Sequence, residues 1–242
     1  SRFDVLMHSQ SDWKGALSLH VKDRSFEAIG AEAFTPASDT RMLAISLLEE
    51  KHFDDYLVQF GARIEKVTLE TNEVSDLFHG GHGHDDHEDE HGHEDSHDNV
   101  SLDFTPVSLS AGVVYDYLDG YNVGVSMTYS QRAPSAAEVF AFGPHIGTNT
   151  YEIGSYFSLH GENDHDFHVD LATKEPELES SANIDLTWRK FEGDFGFVAN
   201  VFYNQIDNYY FQQFTGYYSD SGHDHDEHDA DDHDDTHADD HD

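Results

Sequence analysis

The sequence contains no cysteine, few basic residues and no long apolar run. Its 242 residues include 12 Lys and Arg against 50 Asp and Glu, which gives a formal net charge of −38. The lack of cysteine excludes disulfides, thiolate metal sites and thiol nucleophiles. Any metal must therefore be held by nitrogen and oxygen. The negative charge argues against nucleic acid and anionic lipid surfaces as partners.

The absence of a long apolar run excludes a helical membrane protein, because a membrane helix needs about 18 consecutive apolar residues. It does not exclude a membrane β-barrel, in which only every second residue of a strand contacts lipid. The sequence also contains no nucleophile elbow, phosphate loop or HExxH helix. We therefore do not predict an enzyme.

Two segments are rich in histidine and acidic residues. Residues 79–98 contain seven His and eight acidic residues, and residues 220–242 contain six His and twelve acidic residues. Neither has enough apolar surface to offset the entropy of ordering, so we expect both to be mobile without metal. The rest of the chain must carry the fold.

That remaining chain alternates apolar and polar residues with period two. In Tyr121–Arg132 the odd positions up to Tyr129 are apolar, and residues 105–117 follow the same pattern. The Asp119-Gly120 pair between them predicts a hairpin turn. Further alternating segments are 13–21, 56–64, 182–188 and 195–203, with weaker ones at 3–7 and 41–50. Alternation of this kind predicts strands with one apolar face.

Short and long links alternate between these strands. The short links lie near 9–12, 51–55, 118–120 and 191–194, and the long ones are 29–38, 71–101, 134–178 and everything after 212. All short links then fall at one end and all long links at the other, as in outer-membrane barrels. Aromatic residues near the short links would form one interfacial girdle. They are Trp13, Phe53, Tyr56, Tyr115, Tyr117, Tyr121, Trp188, Phe191 and Phe195.

The fold that we predict is an all-β, antiparallel transmembrane β-barrel. A soluble β-sandwich is the alternative, but its strands are usually shorter and its long loops need not share one side. Residues 1–211 would form barrel strands and loops, including a His- and acid-rich loop at 72–101 and a long loop at 134–178. Residues 212–242 would form a further His/Asp-rich loop. Because the strand pattern is already under way at Arg2, we expect the chain to be a piece of a larger protein.

Two segments resemble those of TonB-dependent outer-membrane receptors. Arg132-Ala133-Pro134-Ser135-Ala136-Ala137-Glu138 resembles their RAPS-x-x-E segment, and 178–186 is similar to a second segment, without its Asn-Pro and Lys-Pro. Within that family, Phe26-Glu27-Ala28-Ile29-Gly30 with the residues up to Pro36, and Phe142-Gly143-Pro144-His145, resemble the zinc-uptake (ZnuD-like) branch.

The resemblance implies a barrel of about 22 strands plugged by an N-terminal domain, of which this chain supplies about eight. It places the protein in the outer membrane of a Gram-negative bacterium, surrounded by lipid, with the His-rich loops extracellular. Transport would be driven through the TonB complex, which contacts a plug domain that this sequence does not contain. Zinc would be the cargo, with no catalytic cofactor.

The chemistry of the two tracts points to metal independently. Zinc binds imidazole nitrogen and carboxylate oxygen with about four ligands, and pairs such as His82-Gly83-His84 place two imidazoles on one side of an extended backbone. We predict a flexible array that collects ions and loses affinity as imidazoles protonate. The alternative is a solvated low-complexity loop without a specific ligand. The candidate ligands are His79, His82, His84, His87, His91, His93 and His97, with His223, His225, His228, His233, His237 and His241.

A tighter site would come from the other loops. The resemblance suggests His145 and Glu32 as ligands, and the alternative for His145 is a loop histidine packed beside Pro144. His160, His165 and His168 form a third small cluster with neighbouring acids, or a merely soluble loop. His20 alternates onto the polar face, so we expect it to face the lumen and not to bind metal.

The main prediction is therefore a transporter that binds extracellular zinc and passes it inward. A second hypothesis is a barrel or surface protein that only sequesters divalent metal. A third keeps the receptor but changes the cargo to haem, a siderophore or another metal such as copper or nickel, which imidazoles also bind.

Overall fold

A computed structural model describes residues 1–8, 12–30, 34–71, 99–145, 147, 150–160 and 168–214. These ranges contain thirteen β-strands and one short helix. The strands are β1 Arg2–His8, β2 Trp13–Phe26, β3 Ser38–Phe53, β4 Tyr56–Thr71, β5 Val100–Phe104, β6 Val107–Leu118, β7 Tyr121–Arg132, β8 Phe142–His145, β9 Thr150–Ile153, β10 Phe157–His160, β11 His168–Leu171, β12 Glu179–Lys190 and β13 Phe197–Asp207, and helix α1 is Ala136–Phe140. In these ranges no helix is long and apolar enough to cross a membrane.

Nine of the strands form one antiparallel sheet in the order β1-β2-β3-β4-β6-β7-β12-β13, with β5 also paired to β4. β5 and β6 pair with consecutive parts of β4, so they act as one strand interrupted at Thr105 and Pro106. A proline has no N–H to donate to the ladder, which explains the break. The sequence had predicted an unbroken strand from Thr105, and that detail is wrong. Counted in this way, the sheet has the predicted eight strands.

The long strands follow one another in the sheet in their chain order. The strand ends that flank the links 27–37, 72–99 and 133–178 all lie at one end of the sheet, which we call the long-link end, and the two-residue turns at Asp54-Asp55 and Asp119-Gly120 lie at the other. Within the part of the chain that the structure describes, β1 and β13 are the two edges of the sheet. The barrel is therefore not closed by these strands.

Register gives the sheet one apolar face, the outer face. Leu17, Leu47 and Ala62 are consecutive cross-strand partners, and the row continues through Leu109 to Tyr129. Directly paired residues share a face, and the large members of this row are solvent-exposed in the isolated chain. A soluble sandwich would cover such a face with a second sheet, whereas a membrane barrel presents it to lipid. The arrangement is that of a barrel wall.

The apolar band on the outer face has a defined height. In β4 it runs from Tyr56 to Ile64, which is about 26 Å along the strand, or about 20 Å along the membrane normal at a 40° tilt. At the long-link end it gives way to ion pairs, Lys66 Nζ with Asp103 Oδ1 at 3.0 Å and Arg41 Nη1 with Glu70 Oε2 at 3.3 Å. A band of about this height matches the hydrocarbon layer of an outer membrane.

Aromatic residues border the band at the short-link end, as predicted. The rings of Tyr56 and Tyr115 stack at 4.4 Å, and Trp188 Nε1 donates a hydrogen bond to the Tyr117 hydroxyl at 2.7 Å. Lys51 Nζ lies 5.7 Å from the centre of the Trp13 ring. Amphipathic rings of this kind favour the level of the lipid headgroups.

The buried core lies on the inner face at the long-link end. Val139 and Phe140 of α1 and Phe157 of β10 pack there against Leu69 of β4 and Phe104 of β5. The loop between β7 and β12 therefore folds onto the inner wall of the sheet. Its packing fixes the position of the candidate site.

Candidate functional site

The site consists of the loop 133–178 and the segment 208–214, which follows β13 and which we call the strap. The loop contains α1 and two hairpins, β8 with β9 and β10 with β11. Asn208 begins the strap with a φ of 53° and donates from Nδ2 to the Leu178 carbonyl at 3.2 Å. Asparagine tolerates this left-handed conformation, and the chain turns there from the wall towards the loop.

Arg132, the last residue of β7, binds two carboxylates. Its Nη1 and Nη2 each donate to one oxygen of Glu138 in α1 at 2.9 Å. Its Nε and Nη2 donate to the two oxygens of Glu179 at 2.9 Å. Glu179 is the first residue of β12 and the direct cross-strand partner of Arg132. The planar guanidinium suits such paired contacts, and it joins the helix to the barrel wall.

The segment from Arg132 to Glu138 also contains the residues that begin helix α1. Ser135 Oγ accepts a hydrogen bond from the Glu138 backbone N–H at 3.3 Å, and the Ser135 N–H donates to Glu138 Oε2 at 2.7 Å, which is a capping box. Partial burial raises the pKa of Glu138, but hydrogen bonds from Arg132 and Ser135 lower it further, so the pKa lies below its usual value. Glu138 is therefore a carboxylate at neutral pH. The spacing R-x-x-S-x-x-E thus has a structural role.

Tyr210 fastens the strap to this network. Its N–H donates to Glu179 Oε2 at 3.2 Å, and its hydroxyl donates to the Glu177 carbonyl at 2.7 Å. The Arg132 guanidinium carbon lies 5.7 Å from the centre of the Tyr210 ring. Burial raises the pKa of the Tyr210 hydroxyl, which stays protonated at neutral pH and serves as a donor.

His145 and Glu152 face each other on the β8–β9 hairpin. His145 Nδ1 lies 3.5 Å from Glu152 Oε1, and the other oxygen of Glu152 accepts a hydrogen bond from Gln212 Nε2 at 3.2 Å. The pair is partly exposed, and the strap reaches it through Gln212. It is an ion pair when the imidazole is protonated, and it offers one nitrogen and one oxygen ligand to a divalent cation when the imidazole is neutral.

Phe34 positions this hairpin from the link between β2 and β3. Its ring centre lies 5.0 Å from that of His145, and its carbonyl accepts a hydrogen bond from the Phe142 N–H at 2.6 Å. Gly143 has a φ of 148°, and a Cβ there would lie 3.3 Å from the backbone of Phe34. Both the conformation and the close approach require glycine at this position.

The third predicted cluster is only partly brought together. His160 ends β10, and His168 begins β11 as its direct backbone partner. His160 is exposed, and residues 161–167, including His165, lie outside the described ranges. His20 lies on the inner face of β2, as the alternation predicted, because it pairs with buried Ala44 of β3.

The other predicted ligands lie outside the residues that the structure describes. They are Glu32, the seven histidines of 79–98 and the six histidines of 220–242. Among the residues that are described, no group of three or more His, Asp and Glu side chains is arranged to hold a metal ion.

Sequence reasoning missed Glu152, Glu179 and the strap as parts of the site. Glu152 belongs to no recognisable motif, and its pairing with His145 depends on a hairpin whose strands are only four residues long. Glu179 lies within the second resemblance segment, which was the one available signal. The strap contains aromatic residues, but nothing in its amino-acid sequence indicates that it contacts the loop.

Comparison with known proteins gives one family. A family model described as TonB dependent receptor-like, beta-barrel, matches residues 6–228. The match takes in every strand from β2 to β13 as well as the loop 133–178 and the strap. A comparison with curated proteins finds no match.

Proposed function

Because the chain belongs to the TonB-dependent receptor-like β-barrel family, we propose that it forms part of a receptor that binds extracellular zinc and carries it across the outer membrane. The family consists of outer-membrane receptors and transporters of Gram-negative bacteria that work with TonB through a plug, and it is not an enzyme family. The proposal adds two points to the family match. Zinc is the cargo, and the His-rich segments are extracellular.

The observation that supports the zinc proposal is that the described residues next to both histidine-rich tracts lie at the long-link end, where His145 also lies. Thr71 and Val100 are direct cross-strand partners, so the chain leaves and re-enters the sheet there around the segment that contains tract 79–98. The strap, which precedes tract 220–242, contacts Glu152 beside His145. The described residues that flank the segment containing 79–98, the strap that precedes 215–242, and the His145–Glu152 pair thus all lie at the long-link end.

These donors fit zinc chemically. With no cysteine in the chain, nitrogen and oxygen are the available ligands, and zinc accepts both. Many weak sites on attached segments raise the local ion concentration near an ordered acceptor. In this proposal the tracts collect zinc, and His145 with Glu152 forms part of the acceptor.

Uptake of radioactive zinc by cells that carry the full-length receptor tests this function. Deleting 79–98 or 220–242 should raise the zinc concentration for half-maximal uptake without abolishing transport, and His145→Ala should weaken transport more. His20→Ala is the matched control, because His20 lies on the inner face in the middle of β2, six residues before the strand reaches the long-link end. Competition with copper, nickel and haem distinguishes the other cargoes. Unchanged zinc uptake in all three site variants would refute the proposal.

A further inference from the structure

A cavity of about 410 Å³ lies on the inner face at the long-link end, apart from His145. Its wall is a patch in which side chains of three neighbouring strands are in register. The patch consists of two successive rows, Lys22, Met42 and Val67, then Arg24, Thr40 and Leu69. Phe26 and Ser38 pair in the row beyond, and residues 131–137 cover the patch from the β7 side. The cavity is thus built jointly by the wall and the loop.

The cavity carries positive charge in a chain whose net charge is −38. Lys22 and Arg24 are two residues apart on one strand face, so their Cα atoms are about 7 Å apart. Within the described part of the chain, neither forms an ion pair with a carboxylate, although the Arg24 guanidinium lies 5.7 Å from the centre of the Phe26 ring. Glu65 also lines the cavity, but its carboxylate is already paired with Arg63.

The carboxylates on the loop side are also engaged. Glu138 and Glu179 share the Arg132 guanidinium. Among the described residues, none of these three carboxylates is thus in an ion pair with the cations of β2, Lys22 and Arg24. An anion that entered would be drawn to them, and the carboxylates at the rim would not compete for the same donors.

A buried hydroxyl provides independent evidence for a ligand. Ser38 is only 6% exposed, it lines the cavity, and its Oγ has no hydrogen-bond partner among the described residues. Its neighbour Thr71 is different, since the Thr71 hydroxyl donates to the Ala37 carbonyl at 2.9 Å. A buried hydroxyl without a partner is unfavourable. A ligand oxygen in the cavity would give Ser38 an acceptor.

We propose that this cavity binds a small organic carboxylate. Arg24, between the other two donors, holds the carboxylate group, with Lys22 on one side and the Ser38 hydroxyl on the other. Phe26 and Met42, which are half-buried on the same wall, contact the apolar part of the ligand. The site is separate from the zinc-binding groups, and it does not depend on zinc being the cargo.

Equilibrium dialysis of labelled benzoate against the purified full-length receptor in detergent tests the proposal. The buffer has low salt and contains EDTA, so a failure of the zinc proposal does not affect the result. We expect saturable binding that Arg24→Gln weakens about tenfold and Ser38→Ala about fivefold, from the strengths of charged and neutral hydrogen bonds. Circular dichroism confirms that each variant keeps its β-sheet.

Two controls make the result decisive. Lys14→Gln removes the same charge from the same face of β2 but outside the cavity, so benzoate affinity should not change. Benzamide has the shape of benzoate without its charge and should not displace it. The proposal is overturned if benzoate shows no saturable binding, if benzamide competes equally, or if Lys14→Gln weakens binding as much as Arg24→Gln.

Discussion

Replacing Arg132 by alanine should release α1 from the barrel wall. The change removes the four 2.9 Å contacts to Glu138 and Glu179 and leaves both carboxylates close together without their shared cation. The side chains are 43% exposed for Arg132, 30% for Glu138 and 13% for Glu179, so solvent screens the first pair more than the second. We therefore expect a smaller cost than for breaking a fully buried ion pair. The free energy of local unfolding of the loop should fall by about 2–3 kcal/mol.

The assay is hydrogen exchange of the full-length receptor in detergent, followed by mass spectrometry. A loss of 2–3 kcal/mol raises the opening equilibrium about 30- to 150-fold. Peptides that contain the Val139, Gly154 and Tyr156 amides should exchange faster by this factor, because these amides hydrogen-bond within the loop. Peptides from β3 should not change.

Arg41→Ala is the matched control, since Arg41 pairs with Glu70 on the outer face at 3.3 Å and both side chains are more exposed. Its removal should cost less than about 1 kcal/mol. The reasoning would be refuted if Arg132→Ala left exchange of the loop unchanged, or if exchange rose equally along β3.

Three further predictions test the loop and the wall. The Glu138 pKa is lowered in the folded loop, so its contribution to stability is present above its usual pKa near 4.5 and is lost as pH falls below that value; the protection of the α1 amides, corrected for the intrinsic exchange rate at each pH, should fall there, and Glu138→Gln should reduce this pH dependence to the part that comes from Glu179, whose pKa is lowered by the same arginine. Gly143→Ala should destabilise the β8–β9 hairpin by about 1–2 kcal/mol, measured by exchange of the Phe142 amide, whereas Gly112→Ala, where a Cβ meets nothing nearer than 3.7 Å, should have little effect. Ile45→Arg places a charge in the apolar band and should destabilise refolding into lipid vesicles by about 2–4 kcal/mol, whereas Ser46→Arg on the inner face should cost much less; equal costs for the two variants would contradict the assignment of faces.

The wall of the barrel could be predicted from sequence because its determinants are local. Alternation assigns each residue of β7 to a face, and a two-residue turn such as Asp119-Gly120 fixes the register of the two strands that it joins. Thr105 and Pro106 were placed in the strand because the alternation that begins at Val107 was extended back to them. Phe195 was placed in a strand for the same reason, although β13 begins at Phe197.

The candidate site could be predicted only in part because its contacts are distant in the chain. His145 was predicted as a ligand and stays a prediction, and its partner Glu152 and the support from Phe34 and Gln212 come from separate segments. The motif that begins at Arg132 was recognised by resemblance, and its physical role became clear only when Glu179 was placed opposite it. Pairings of this kind depend on how the loop folds onto the inner wall, which periodicity does not specify.

The central claim is that alternate residues of the long strands contact hydrocarbon. A chain without cysteine permits single cysteine substitutions along β7, each carrying a spin label, in the full-length receptor in lipid vesicles. Labels at Val123, Val125 and Met127 should be accessible to oxygen and protected from a water-soluble nickel chelate, and labels at Asn122, Gly124 and Ser126 should not show that preference. Uniform exposure to the nickel chelate, or a preference for oxygen without a two-residue period, would contradict the account.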